Sequence, residues 1–172
     1  TDFSVQLDKA KEAGAELVFL PIYYQEASVI LKQASDKEFA PIFFGCDGMD
    51  GILSVENFDK SLAEGLMLLT PFSADEEESK DFTAAYEAAY GIAPNQFAAD
   101  AYDAVYAIKA AAELSEINPE MSISDMCDAM KVAMTEITID GLTGAGMTWT
   151  AAGEPNKAPK AVKIVDGVYQ MQ

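Results

Sequence analysis

Short apolar runs alternate with amphipathic segments along the first 70 residues. Each run has four or five residues, which predicts strands that are buried on both faces of a sheet. The runs are 17–20, 41–45 and 66–70. Helical spacing of apolar residues predicts helices over 4–13 and 25–38, with a short helical turn near 52–62. Helices alternating with strands indicate a doubly wound α/β sheet with right-handed crossovers.

After Pro71-Phe72 the pattern becomes helical. Helices are predicted over 76–90, 95–115 and 122–135. Ser73 and Glu76 form a capping-box pattern, and the acidic run 75–78 is expected to be a solvated helix start rather than a metal site. The middle helix carries an apolar face that is expected to pack in the core. Its members are Phe97, Ala101, Tyr102, Val105, Ile108 and Ala112.

The last part of the chain has the pattern of turns and short strands. Residues 141–144 begin a turn-rich stretch, and 147–149 is predicted to be a strand. Residues 151–160 are rich in Gly, Pro, Asn and Lys, which is typical of a loop or linker. Alternation over 161–169, with Asp-Gly at 166–167, predicts a β-hairpin.

Polar and aromatic side chains stand where the first two predicted strands end. Tyr23 and Tyr24 follow the first strand, and Asp47 lies between glycines after the second. If these strands are parallel neighbours, both loops open on the carboxyl edge of the sheet, where open α/β sheets bind ligands. Two phenols and a carboxylate suit a small cationic or zwitterionic ligand.

Charge and composition exclude several classes of function. The 172 residues carry 11 Lys and Arg against 29 Asp and Glu, a net charge of −18. Such a chain lacks the basic patches that nucleic acids require, and an anionic membrane repels it. The acidity is typical of a solubilising surface on a secreted or bacterial protein. Without histidine, Ser-His-Asp and Cys-His catalysis and His-containing zinc sites are excluded.

The two cysteines and the remaining acids leave an enzymatic function weakly supported. Cys46 and Cys127 are too few for a disulfide framework and are interpreted as free, mostly buried thiols. Asp47 and Asp50 could form an acid/base pair, but no nucleophile–base pair, phosphate loop or metal cluster is evident. The glycines at 141, 144 and 146 do not form a dinucleotide fingerprint. We therefore expect neither a metal nor a cofactor.

Seven segments, taken in order, carry a resemblance to a known family. They are 2–4 (DFS), 23–26 (YYQE), 44–48 (FGCDG), 63–65 (AEG), 98–105 (AADAYDAV), 140–144 (DGLTG) and 162–167 (VKIVDG). The chain resembles the extracytoplasmic substrate-binding proteins of branched-chain amino acid ABC transporters. These are the Leu/Ile/Val-binding proteins of the type I periplasmic-binding-protein family.

The resemblance implies a fold of two Rossmann-like lobes around a cleft, joined by three chain crossings. The chain matches only the C-terminal half of that arrangement, so it forms parts of two doubly wound α/β lobes that are incomplete without the N-terminal half. Residues 1–70 and 158–172 would belong to the second lobe. Residues 71–157 would be the helical portion that completes the first lobe.

The resemblance also implies roles for individual residues. Asp47 matches the acidic residue that holds the ligand α-ammonium; it stands where the prototype has Glu, so its carboxylate reaches less far. Tyr23 matches an aromatic residue that contacts the ligand backbone, and Phe97 matches one that lines the side-chain pocket. From the residues alone, ordinary structural roles stay open: Asp47 as a turn residue, Tyr23 as a rim residue and Phe97 as a core residue. Weaker candidates adjoin these positions. They are Tyr24, Cys46 and Asp50.

The function implied by the resemblance is the solute-binding component of an ABC importer. It would bind an amino acid or a similar polar solute between two lobes and deliver it to a membrane permease. The location would be extracytoplasmic, in the periplasm or lipid-anchored at the outer face of the membrane. The alternative is a ligand-sensing domain of a receptor or regulator. If only these residues are present, exposed sheet edges and apolar faces favour a homodimer or a swapped assembly.

Overall fold

The computed structural model describes residues 2–172, which divide into two compact units. Unit 1 ends at Ser73 and resumes over Pro159–Gln172, and unit 2 is Ala74–Ala158. Within the described residues, no helix has both the length and the apolar character needed to cross a membrane.

The helices and strands follow each other in an α/β order. They are α1 (Ser4–Glu12), β1 (Leu17–Leu20), α2 (Tyr24–Asp36), β2 (Ile42–Gly45), β3 (Met67–Thr70), α3 (Lys80–Tyr90), α4 (Gln96–Leu114), α5 (Ile123–Met134), β4 (Ile139–Gly141), β5 (Gly144–Met147), β6 (Lys160–Val165) and β7 (Val168–Met171).

Unit 1 is a five-stranded sheet in the order β1-β2-β3-β6-β7. The strands β1, β2 and β3 are parallel, as their short apolar runs predicted, and the hairpin β6–β7 joins them antiparallel. The predicted helical turn near 52–62 consists of two 3-10 helices, Ile52–Ser54 and Lys60–Ala63. The predicted α/β fold is therefore confirmed for this unit, and the sheet is parallel at β1–β3 and antiparallel at β6 and β7.

The core of unit 1 lies on one face of the sheet. Strand residues such as Leu68, Val162 and Ile164 are almost fully buried there, packed with residues of α1 and α2. Alternate strand residues lie on the opposite face, where Leu17, Phe19 and Ile42 are each more than half exposed. A strand alternates its side chains between the two faces, so one face of this sheet is packed and the other is open at β1 and β2.

Unit 2 consists of α3, α4 and α5 with the antiparallel hairpin β4–β5. The stretch 141–144, expected to begin a turn-rich region, holds the turn of this hairpin at 142–143, and its outer residues belong to the two strands. The strand predicted over 147–149 is displaced: β5 ends at Met147, and Trp149 forms only an isolated bridge with Pro155. The physical reason is the Asp103 carboxylate, which accepts hydrogen bonds from the amides of Leu142 and Thr143 and holds the tight turn between the strands.

The capping-box prediction at Ser73 is wrong. The backbone at Glu76 is still extended (φ −71°, ψ 147°), so no helix can begin before it. A 3-10 helix over Glu77–Ser79 follows, and α3 begins only at Lys80. Ser73 is instead a buried residue at the end of the first segment of unit 1.

The prediction of which face of α4 is buried is also wrong. Within the expected core face, Tyr102, Val105 and Ile108 are between 43 and 65% exposed. The buried face carries small and polar residues. They are Gln96, Ala99, Asp103, Ala107 and Ala111. These positions also repeat at helical spacing, and they are buried because α5 and the β4–β5 turn pack on that side through alanines and the Asp103 hydrogen bonds.

Candidate functional site

The loops that follow β1 and β2 meet at the carboxyl edge of the unit 1 sheet. The two strands are parallel with Leu20 paired to Gly45, so both chains leave the sheet at the same level. A Cβ atom added at Gly48 would lie 3.0 Å from the carbonyl oxygen of Ile22 and 3.4 Å from Cδ1 of Tyr23. Glycine at position 48 therefore allows the two loops to contact each other.

Asp47 lies at the start of the second loop. It is the first residue of a 3-10 helix over Asp47–Met49, and its carbonyl oxygen accepts the amide of Asp50 at 3.0 Å. Its side chain is exposed, whereas Gly48 and Met49 are buried. A carboxylate held at the surface on a buried turn is suited to a charge-assisted hydrogen bond with a cationic group.

The two tyrosines of the first loop have different environments. Tyr23 is the residue before α2, with an extended backbone (φ −80°, ψ 158°), and it is 63% exposed. Its ring borders Gly48, next to Asp47 in the chain. Tyr24 begins α2, and it is half-buried against the core of unit 1. Of the two tyrosines, Tyr23 therefore presents the exposed aromatic surface, next to the loop that carries Asp47.

The cysteines lie in different units and are both free. Cys46, directly before Asp47, is half-buried. Cys127 is exposed, so the interpretation of two mostly buried thiols is wrong for this residue. The reason is its place on α5, where Met130 and Ala133 lie on the side of the helix that packs in the unit 2 core.

Asp50 ends the loop turn and is buried, with 6% of its surface exposed. The Tyr169 hydroxyl, from β7, hydrogen bonds with the Asp50 carboxylate and accepts the amide of Gly51 at 3.2 Å. Burial raises the pKa of Tyr169 well above its ordinary value, and the negative charge of Asp50 raises it further. Sequence reasoning missed Tyr169, because in the sequence it is one apolar position of an alternating hairpin.

Phe97 lies in unit 2, in the first turn of α4, and is half-buried. The Asn95 side chain caps this helix by accepting the amide of Ala98. The structure thus brings Tyr23, Cys46 and Asp47 to one edge of unit 1, with Tyr24 and Asp50 packed behind them, whereas Phe97 belongs to the other unit.

Acidic and cysteine side chains do not gather into a metal centre in the described part of the chain: no three of them within residues 2–172 are grouped so as to hold an ion. The acidic run 75–78 consists of exposed and half-buried residues before α3, and Glu77 pairs with Lys80.

Comparison with protein families and solved structures relates this arrangement to known proteins. The family described as periplasmic binding protein matches residues 1–167. No curated protein sequence matches the chain.

Solved structures of binding proteins share the fold. A leucine-binding protein of Thermotoga maritima is 22% identical with a TM-score of 0.80, and 99% of this chain covers 47% of it. A branched-chain amino acid transporter substrate-binding protein of Streptococcus pneumoniae, in complex with isoleucine, is 26% identical with a TM-score of 0.78, and 98% of this chain covers 47% of it. An ABC transporter solute-binding protein of R. palustris, in complex with benzoate, is 18% identical with a TM-score of 0.81, and 99% of this chain covers 46% of it. The chain therefore spans about half the length of these proteins and has the fold of that part of them.

Proposed function

The chain belongs to the periplasmic binding protein family, and we propose that it is part of the solute-binding component of an ABC importer. The protein captures a branched-chain or related amino acid between two lobes and delivers it to a membrane permease. Its location is extracytoplasmic, in the periplasm or lipid-anchored at the outer face of the membrane. The observation that carries the proposal is that two exposed residues, Asp47 and Tyr23, lie on contacting loops at the carboxyl edge of β1 and β2.

Each candidate residue has a role that its chemistry supports. Asp47 accepts hydrogen bonds from the α-ammonium group of the ligand, and Tyr23 offers an exposed ring face to the same cation. Phe97 lines the pocket for the ligand side chain. Cys46 and Tyr24 border the site, and their half-buried side chains support the loops more than they contact the ligand.

Unit 1 belongs to the second lobe in this proposal, and unit 2 belongs to the first. Both lobes are completed by a part of the protein N-terminal to this chain, in keeping with the half-length coverage of the solved structures. That part covers the open sheet face around Leu17 and Phe19 and the exposed apolar side of α4 at Val105 and Ile108. Hinge closure of the two lobes then encloses the ligand.

The experiment is a thermal-shift measurement on the full-length protein with L-leucine, L-isoleucine, L-valine and benzoate as probes. A ligand at 100 times its Kd adds about 2.7 kcal/mol to the unfolding free energy. We expect a shift with the amino acids, lost in Asp47→Ala, because truncating one partner of an enclosed charge pair costs about 2–5 kcal/mol of binding free energy. Asp36→Ala, which removes another exposed carboxylate of unit 1, is the matched control and keeps the full shift.

Other results would overturn parts of the proposal. A shift with benzoate alone contradicts an amino acid ligand, since benzoate has no ammonium group. A shift that Asp47→Ala retains removes Asp47 from the site. If cells that lack the protein still take up labelled leucine at the normal rate while the protein binds leucine, the importer role is wrong and a ligand-sensing domain is favoured.

A further inference from the structure

The loop that presents Asp47 contains both an exposed and a buried carboxylate. Asp47 opens the 3-10 helix after β2, and Asp50, three residues later, is buried. Gly51 follows with φ +105°, in the left-handed region that side chains rarely adopt, and a second 3-10 helix runs over Ile52–Ser54. The loop thus turns at Asp50 and Gly51, between the two 3-10 helices, and its conformation determines the position of Asp47.

The hydroxyl group of Tyr169, near the C-terminal end of the sequence, contacts this turn. Tyr169 lies in β7, 118 residues from Gly51, and its ring packs against the unit 1 core. Its oxygen accepts the Gly51 amide at 3.2 Å, and the same hydroxyl interacts with the Asp50 carboxylate and lies near the Leu53 amide. Tyr169 therefore contacts the loop where it turns, at Asp50 and Gly51.

A tyrosine hydroxyl is chemically suited to this position. It can accept two hydrogen bonds and donate one, which matches two amides and one carboxylate. A buried carboxylate needs such a donor, because an unpaired buried charge is strongly unfavourable. Burial and the Asp50 charge raise the pKa of the Tyr169 phenol, so the donated proton is retained at neutral pH.

We propose that Tyr169 is a positioning residue for ligand binding: through Asp50, Gly51 and Leu53, strand β7 holds the loop in the conformation that presents Asp47. This inference rests on the proposed function for the ligand, but the positioning itself is a property of unit 1. Asp50 is also a positioning residue in this proposal: its buried carboxylate accepts a hydrogen bond from the Tyr169 hydroxyl and does not contact the solute.

The experiment uses the full-length protein and the variant Tyr169→Phe, which keeps the ring and removes only the hydroxyl. Hydrogen exchange is expected to accelerate at the amides of 46–54 and to stay unchanged in β1 and β2. The Kd for L-leucine, measured well below the melting temperature, is expected to rise about ten-fold, as for a lost hydrogen bond to a charged group. In an Asp47→Ala background, Tyr169→Phe is expected to leave the Kd unchanged, because Tyr169 affects binding only through the position of Asp47.

Val162→Ala is the matched control, since Val162 is fully buried in the neighbouring strand β6 and is paired there with Met171 rather than with Tyr169. It lowers the melting temperature without changing the leucine Kd or the exchange of 46–54. If Tyr169→Phe behaves as Val162→Ala does, the positioning role is wrong and Tyr169 only stabilises the core. If the wild type binds no amino acid, the proposed ligand is wrong, and the exchange of 46–54 alone then decides for or against the positioning role.

Discussion

The two units of this chain are stabilised by different kinds of contact. In unit 1, large aliphatic side chains such as Leu68, Ile52 and Ile164 are fully buried between the sheet and its helices. In unit 2, the buried cluster contains three alanines, Ala107, Ala111 and Ala133, together with Ile137. Because hydrophobic stabilisation scales with the apolar area removed from water, unit 2 gains less from its core than unit 1 does.

Polar contacts compensate in unit 2. The Asp103 carboxylate, 6% exposed, accepts the amides of Leu142 and Thr143 and the Thr143 hydroxyl at 2.7–2.9 Å. The Asn156 side chain joins β5 by accepting the Thr148 amide and donating to the Gly146 carbonyl. Meanwhile the larger apolar residues of α4 are exposed. The helix α4 thus uses its face of small residues for internal packing, while its larger apolar residues stay exposed.

The largest expected effect comes from removing a core side chain of unit 1. Leu68→Ala should lower the unfolding free energy by about 2–5 kcal/mol, since Leu68 is fully buried in the central strand. Ile108→Ala in unit 2, where the side chain is 57% exposed, should change it by less than about 0.5 kcal/mol. Denaturant unfolding of both variants measures the contrast, and equal losses would contradict the difference between the two cores.

Removing the buried carboxylate of unit 2 should have the next largest effect. Asp103→Ala leaves the amides of Leu142 and Thr143 without their acceptor, and the buried Thr143 amide accounts for a cost of roughly 1–3 kcal/mol. Asp128→Ala, at an exposed position of α5, is the control and should be neutral. Thermal unfolding would measure the loss of stability, and hydrogen exchange at β4–β5 would show whether it is located in that hairpin. If the hairpin amides stay protected in Asp103→Ala, the Asp103 carboxylate is not what holds the hairpin in place.

Gly141→Ala tests the same contact from the other side. An added Cβ atom would lie 2.5–2.7 Å from the carboxylate of Asp103, so either the carboxylate or the hairpin must move. We expect a loss of about 1–3 kcal/mol, typical of overpacking. Gly146→Ala is the control: at Gly146 φ is +59° and nothing lies within 4 Å of the added Cβ atom, so this variant reports backbone strain without a steric clash. A Gly141→Ala variant as stable as the wild type would show that the contact is loose.

The exposed apolar face of α4 should promote self-association of the isolated 172-residue chain. We expect a dimer or larger species in light scattering, and weaker association in the double variant Val105→Gln, Ile108→Gln, because contiguous exposed apolar surface favours pairing. Lys109→Gln, a polar position of the same helix, is the control. A monodisperse monomer that binds leucine with micromolar affinity would contradict both this expectation and the need for the N-terminal part.

The smallest expected effect concerns the ion pairs. Lys157 and Asp100 in unit 2 are 2.6 Å apart with side chains 25 and 38% exposed, whereas Lys32 and Asp36 in unit 1 are 2.9 Å apart and 65 and 62% exposed. Lys157→Gln should cost up to about 1 kcal/mol and Lys32→Gln close to nothing, since solvent screens exposed pairs. If both variants change the midpoint of urea unfolding equally, the Lys157–Asp100 ion pair is not one of the contacts that distinguish unit 2 from unit 1.

Local pattern was sufficient for the parts of the fold that depend on local physics. The strands β1, β2 and β3 were predicted to within a residue or so, because a short apolar run bounded by turn residues has few alternatives. Parallel order then brought Tyr23 and Asp47 to one edge, as expected from their places after β1 and β2. Their roles toward a ligand stay a prediction until binding is measured.

Periodicity alone was insufficient for α4. Two faces of this helix repeat at helical spacing, one with Val105 and Ile108 and one with Asp103 and Ala107. Hydrophobicity favoured the first face, but the second is buried, because its alanines allow α5 to pack and its aspartate meets the amides of a turn 39 residues further on. The periodicity of apolar residues in a helix does not specify which other element packs against it.

The sequence by itself determined the α/β order, the strand ends that carry Tyr23 and Asp47, and the net charge of −18. Only the tertiary structure decided that Asp50 is buried and that Tyr169 meets it across more than a hundred residues. The physical reason is that backbone propensity and hydrophobic period act over a few residues, whereas a buried polar contact depends on which distant strand closes the sheet.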